Sequence, residues 1–163
     1  ATVANDWESS CDLIRDKVRV CHARFGMVLH PSGGVIQRLA PLMSLGALGP
    51  IGSGHQFVSW VALDDAIRAI YMMLANDDVV GPVNVVSPRP QTQGQWMADW
   101  AKAVGRPAIV PLPSLAVKTV FGQMGSELLL ASSRVIPGVL TKKDAQFQCQ
   151  TMKDWVGFYS GKL

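Results

Sequence analysis

Few residues of this 163-residue sequence could carry chemistry, and they are scattered. The histidines are His22, His30 and His55, the cysteines are Cys11, Cys21 and Cys149, and one carboxylate pair stands at Asp64-Asp65. A metal site needs clustered ligands at spacings such as CxxC or HExxH, and the sequence has neither. Ser53, His55 and Asp64 can be drawn as a hydrolytic triad, but a triad is a matter of geometry and their spacing does not support one. Adjacent residues on a helix point apart. Asp64-Asp65 therefore reads as a helix cap with first-turn charge, not as an acid/base pair. His22 lies inside an extended run beside Cys21 and reads as structural. No catalytic residue and no metal ligand is assigned.

The densest candidate is "GPIGSGHQFVSWVAL", Gly49 to Leu63. Its glycines could cradle a phosphate or simply turn the chain. A dinucleotide loop is preceded by a strand and followed by a helix, whereas a strand follows this turn. The sequence holds no GxGxxG, no GxxxxGK[ST] and no GxSxG. The stretch reads better as a loop facing a substrate, in which Gly52 and Gly54 allow close backbone approach or only the turn itself. Arg24 closes a strand just before Gly26, and α/β folds place ligands beyond the carboxyl ends of strands.

The elements that must position these residues alternate between strand and helix, which points to an α/β fold. Residues 5–16 predict a helix with Trp7, Cys11 and Ile14 on one face. Strands follow from Val18 to about Arg24 and from Met27 to Leu29, and "HPSGG" supplies a turn. The run from Val35 starts helical and is bent or ended by Pro41. Phe57 to Leu63 predicts a strand, with Asp64 or Asp65 capping the next helix. On that helix Ile67, Ile70, Tyr71 and Leu74 form one apolar stripe. "GPVNVVSP" is a short strand. A helix through "TQGQWMADWAKAVG" puts Met97, Trp100, Ala101 and Val104 on one face and stops at Gly105. "PAIVPLP" is extended, Ser114 to Pro137 holds one or two helices, and Met152 to Tyr159 is a short helix. The chain opens as if in the middle of a fold: "VRVCHAR" makes a central strand with no earlier strand to lie beside.

Composition bounds the function. Hydrophobic residues make up 48% and charged residues 17%, with a mean hydropathy of +0.20. That excludes a disordered chain. No apolar run approaches the ~18 residues that span a bilayer, so the apolar surplus is core or a face for another domain or subunit. The net charge of +3 is dispersed, with no basic stripe for nucleic acid. Three widely spaced cysteines imply an intracellular, reducing compartment. A start at Ala1, without a signal-peptide pattern, leaves room for a processed or truncated product.

The sequence also resembles a known family. "WESSCDLIRDKVRVCHARFGMVLHPSGG", "GPIGSGHQFVSWVALDD" and "GPVNVVSPRPQTQGQWMADWAKAVGRPAIVPLP", running on to "SSRVIPGVL", are similar to the carboxyl-terminal part of the epimerase-family atypical short-chain dehydrogenases. The similarity runs from about Asp6 to Gln150. It implies an extended Rossmann-type fold that lacks its amino-terminal dinucleotide-binding half. Residues 1–163 form a single unit, in which about 1–35 are the last strands and helix of the Rossmann sheet and about 36–163 the substrate side.

The resemblance further implies NADP as cofactor, provided the missing half is supplied. Arg24, Gly26, Met27 and Val28 would lie along the nicotinamide, and Gly52, Ser53, Gly54, His55 and Gln56 would face a nucleotide-sugar-like substrate. Partners would be the missing half or other protein subunits, and the compartment the cytoplasm, a mitochondrion or a chloroplast after removal of a transit peptide. Two roles follow. The chain is either the substrate-cleft part of an NADP-dependent epimerase or oxidoreductase, inactive alone, or a non-catalytic structural subunit of a larger assembly. The chain also departs from the family pattern. Ala62 stands in place of a usual His, Asp144-Ala145-Gln146-Phe147 in place of Gly-Phe-x-Phe, and Gly46 to Pro50 in place of Gly-Leu-Gly-Gly-Pro.

Overall fold

A computed structural model describes residues 2–113 and 129–160. Its elements run α1 (Thr2–Ser9), a 3-10 turn (Asp12–Ile14), β1 (Cys21–Phe25), β2 (Met27–Leu29), α2 (Gly34–Ser44), β3 (Phe57–Val58) and β4 (Trp60–Ala62). They continue with α3 (Leu63–Ala75), β5 (Gly81–Val85), β6 (Gln91–Thr92), α4 (Gln93–Ala103), α5 (Gly138–Lys142) and α6 (Met152–Tyr159). The predicted α/β alternation is present. The helices expected between Ser114 and Pro137 fall mostly on residues 114–128, outside the described residues.

The strands pair in three short ladders. β1 lies parallel to β5, from Cys21 opposite Gly81 to Phe25 opposite Val85. β2 lies parallel to β4, with Val28 opposite Val61, and β3 is antiparallel to β6. β1 and β2 are one extended run that changes partner at Gly26. A Cβ there would sit 2.7 Å from the Ser59 carbonyl oxygen and 2.9 Å from Val86 Cγ1, so only glycine lets the two ladders meet. Among the described strands β1 is paired on one edge only.

Two hydrophobic clusters hold these pieces. The larger brings β2, α2, β4, α4 and α6 together around Trp60, Trp96, Trp100, Trp155 and Tyr159, all almost fully buried. Trp155 packs on Tyr159 with ring centroids 5.0 Å apart, and its indole N–H donates to the Leu29 carbonyl at 3.4 Å. Of its three helices, α4 and α6 start on reciprocal caps, Thr92 with Gln95 and Thr151 with Asp154. The smaller cluster joins β4, α3, β5 and α5 through Val61, Ala66, Ala69, Val83 and Leu140.

Several expectations are corrected. The first helix ends at Ser9, and its Trp7 is 79% exposed. The strand expected over Phe57 to Leu63 breaks at Ser59, and α3 begins at Leu63. Its N-cap is Ala62, with no side-chain cap, so Asp64 and Asp65 lie in the first turn. Asp65 turns inward instead, accepting backbone N–H bonds from Gln148 and Cys149, each 2.8 Å, and pairing with Arg68 at 3.2 Å. That carboxylate pins the segment before α6 onto α3. Pro41 does not end α2, which runs on to Ser44.

The apolar stripe of α3 is also reversed. Ala66, Ala69 and Met73 face the core, while Ile67, Ile70, Tyr71 and Leu74 face outward. Small residues on the inner face let α3 approach β1, β2 and β4 closely. At its end the Arg19 guanidinium donates to the carbonyls of Met73, Val79 and Leu74 at 2.7, 2.9 and 3.2 Å, capping the last turn.

Candidate functional site: a cleft at the strand carboxyl ends

Because β1 and β5 run parallel, their carboxyl ends open on the same side, where ligands bind in such sheets. A cleft of about 470 Å³ lies there. Arg24, Phe25, Gly26 and Met27 form one wall at the β1–β2 junction, and Asn84 and Val86 at the end of β5 form the floor. Phe57, Val58 and Ser59 supply the second wall, and Ala131, Ser133 and Val135 close the third.

The third wall is stitched to the second. Ser133 N–H donates to the Phe57 carbonyl at 3.1 Å, and Phe57 N–H to Ser132 Oγ at 3.1 Å. Ser59 Oγ donates to the Ser133 carbonyl at 2.5 Å and accepts from Val135 N–H at 3.2 Å. Asn84 Nδ2 donates to the Ile136 carbonyl at 3.3 Å. Residues 132–136 thus lie against the break between β3 and β4, and the Arg134 guanidinium rests over the Phe57 ring, 5.2 Å from its centroid.

Three of the four residues expected along the cofactor line this cleft: Arg24, Gly26 and Met27. Val28 does not; it sits mid-strand in β2, opposite Val61. Arg24 is committed elsewhere in part. Its Nε and a terminal nitrogen each donate to the Glu8 carboxylate at 2.6 Å. That bidentate pair holds the Glu8 carboxyl below its ordinary range and raises the Arg24 guanidinium above its own.

The residues expected to face a substrate, Gly52, Ser53, Gly54, His55 and Gln56, do not line the cleft. Their loop is welded to the start of α4. Gln93 Oε1 accepts the Ile51 N–H at 2.8 Å, and Gly94 N–H donates to the Gly54 carbonyl at 2.9 Å. Gln56 spends both amide hydrogens inside the protein, on the Ile51 and Leu129 carbonyls at 2.8 and 3.0 Å, and its oxygen accepts from Ser53 Oγ at 3.0 Å. Gly52 and Gly54 have φ of 60° and 71°. A Cβ on Gly52 would lie 2.9 Å from Leu130, and one on Gly54 3.2 Å from Pro50. Left-handed backbone and close packing account for both glycines.

Sequence reasoning missed Phe57, Ser59, Asn84 and Ser133. A polar residue within an apolar strand was the available signal for Asn84 in "GPVNVV" and for Ser59 in "FVSWV". Ser133, beyond the last strand, gave none. Among the described residues no group of three His, Cys, Asp or Glu could hold a metal ion, and no helix is long and apolar enough to cross a membrane.

Comparison with known proteins places this architecture. An epimerase family protein of Mycobacterium bovis is 37% identical over 159 residues, covering 97% of this chain and 53% of its own. Nearly the whole chain thus aligns with about half of an epimerase family protein. The solved structure of human epimerase family protein SDR39U1 (isoform 2) with NADPH superposes at a TM-score of 0.90 with 31% identity, over 99% of this chain and 55% of that one. A nucleoside-diphosphate sugar epimerase of Corynebacterium glutamicum superposes at 0.71 with 28% identity, over 96% of this chain and 30% of its own. Residues 112–156 match the family model described as "Domain of unknown function (DUF1731)". The chain spans about half the length of the relatives it matches, which fits a carboxyl-terminal portion of the epimerase-family Rossmann-like fold.

Proposed function

We propose that this chain forms the substrate-side wall of an NADP-dependent epimerase or oxidoreductase site and does not turn over alone. One observation carries the reading: a cleft at the carboxyl ends of two parallel strands is walled on three sides by the chain, while β1 beside it keeps an edge that no described strand pairs. The chain spans about half of a human relative that was solved with NADPH. The cleft suits the nicotinamide end of a dinucleotide, with apolar Phe25, Met27 and Val86 beside polar Asn84 and Ser133. It does not suit the phosphates: among the described residues no glycine-rich helix start lines it, and its lining cation Arg24 is paired with Glu8. When bound, the cofactor would supply hydride chemistry. This chain's own part would be to orient the ring and exclude water. The other wall would dock on the β1 edge and on the outward stripe of α3, surfaces that a lone chain leaves prone to association.

The test is complementation. The chain alone, and the chain co-expressed with the amino-terminal half of the Mycobacterium bovis relative, are assayed for NADPH binding by fluorescence and for NADPH oxidation. Binding should appear only in the pair. Turnover by the chain alone would overturn the reading. The same open faces suit a non-catalytic subunit, and recovery from its source with subunits that lack a dinucleotide loop would favour that alternative.

A further inference from the structure

We infer that Ser59 is the positioning residue of the cleft: its carbonyl sets the first wall and its hydroxyl sets the third. The inference rests on the reading of the cleft as the nicotinamide end of a cofactor site and adds what keeps that site in shape. Ser59 stands at the break between β3 and β4 and lines the cleft. Its carbonyl accepts the Met27 N–H at 2.9 Å and leaves room only for glycine at position 26, where a Cβ would sit 2.7 Å from it. That fixes the β1–β2 junction. Its hydroxyl donates to the Ser133 carbonyl at 2.5 Å and accepts from the Val135 N–H at 3.2 Å, which fixes the facing segment.

The role requires a hydroxyl. Residues 132–137 belong to no helix or strand, so their backbone polar groups need partners from elsewhere. A serine hydroxyl offers one donor and two acceptor sites, so one side chain meets both a carbonyl and an N–H of the same segment. An alanine there would keep the carbonyl bond to Met27 and lose both bonds to the third wall. The other fastenings of the segment are single bonds from separate groups. Phe57 N–H donates to Ser132 Oγ and Ser133 N–H to the Phe57 carbonyl, each at 3.1 Å, and Asn84 Nδ2 donates to the Ile136 carbonyl at 3.3 Å. Ser59 thus acts on a bound ring through Met27, Ser133 and Val135, all of which line the cleft.

The test uses the longest natural chain that carries this sequence, read by residue-resolved hydrogen exchange and by the emission of bound NADPH. The Ser133 amide is the exchange reporter, because its acceptor, the Phe57 carbonyl, survives in Ser59→Ala. In that variant it should exchange at least about tenfold faster, the scale of two lost neutral hydrogen bonds. The amides of the β2–β4 ladder should keep their protection. NADPH should still bind, since this cleft does not hold its phosphates, but its emission should fall toward that of free NADPH as water reaches the ring. Ser59→Thr, which keeps the hydroxyl, should return both readouts to wild type. Ser132→Ala, which removes one single fastening, should speed Ser133 less than Ser59→Ala does. Unchanged exchange in Ser59→Ala, or an equal effect in Ser132→Ala, overturns the inference. So does a β2–β4 ladder that loosens as well, which would make Ser59 part of the core, and so does an NADPH emission that stays at the wild-type level. If wild type itself gives no shielded emission, the cofactor reading falls and the exchange results alone decide whether Ser59 sets the cleft.

Discussion

The tryptophan-lined cluster between α2, α4 and α6 and the opposite face formed by α1, β1 and the outside of α3 are built on different terms. In the first, Trp96, Trp100 and Trp155 are at most 1% exposed and the starts of α4 and α6 are capped. In the second, Trp7, Leu13 and Tyr71 are largely exposed and β1 lacks a neighbour on one side among the described strands. Both regions carry the same apolar payload, so composition does not separate them. What separates them is whether this chain supplies the surface that covers them. The closed region is a finished core; the open one has the make-up of a core that is half present.

The largest expected effect measures that contrast directly. Trp155→Ala removes a fully buried ring, its contact with Tyr159 and its bond to Leu29, and should cost about 3–5 kcal/mol in urea unfolding. Trp7→Ala should cost less than about 0.5 kcal/mol, the scale of an open surface position. If the two losses come out alike, α1 packs in solution onto something the isolated fold leaves uncovered, and the contrast is broken.

Much of the closed region was legible in the sequence. The face of α4 carrying Met97, Trp100 and Ala101 follows from spacing, because the helix buries the face that the 3.6-residue period predicts, and the helix expected over Met152 to Tyr159 is present. The same rule misled on α3. Ile67, Ile70, Tyr71 and Leu74 are the strongest stripe by period, yet small Ala66 and Ala69 form the inner face. Periodicity shows that a face will be covered and is silent on which molecule covers it. The site was half legible for a related reason. Arg24, Gly26 and Met27 lie where a strand meets a glycine, a local signal. Ser133 reaches the cleft through hydrogen bonds to Phe57 and Ser59, more than seventy positions earlier, and no local pattern marks it. The glycine loop from Gly49 to Gln56 looked like ligand machinery because glycine marks close approach without saying to what. Here the neighbours are Gly94, Pro50 and Leu130 of the same chain.

A smaller effect tests how tightly the closed region is sealed where α3 meets the segment before α6. Burial first, then the charge of Asp65, pushes the Cys149 thiol from an ordinary 9.0 up to about 12. Burial and the bond to Asp64 push the Tyr159 hydroxyl up as well. A raised pKa in the folded state means that stability is fully present below the unfolded value. Above pH 9 the unfolded thiol ionises while the folded one stays protonated, so stability should fall steadily from about pH 9 to about pH 12. The urea midpoint should therefore drop between pH 8 and pH 10.5, and it should drop less in Cys149→Ala. An equal drop in both would show that Cys149 ionises as freely folded as unfolded, and that water reaches this part of the cluster.

The smallest effect on stability is expected on the open side, where it sharpens the comparison most. Tyr71 and Leu74 are 72% and 71% exposed and touch the core through neither side chain. Tyr71→Lys with Leu74→Lys should leave the unfolding free energy of the chain within about 0.5 kcal/mol of wild type. The same pair should weaken association with the complementing amino-terminal half in a sedimentation titration, because two buried apolar contacts would become two buried ammonium groups. A stability loss of several kcal/mol would mean that the stripe already has a partner in the isolated chain. Unchanged stability together with unchanged association would remove α3 from the docking face and leave it to the β1 edge, where main-chain hydrogen bonds resist side-chain substitution.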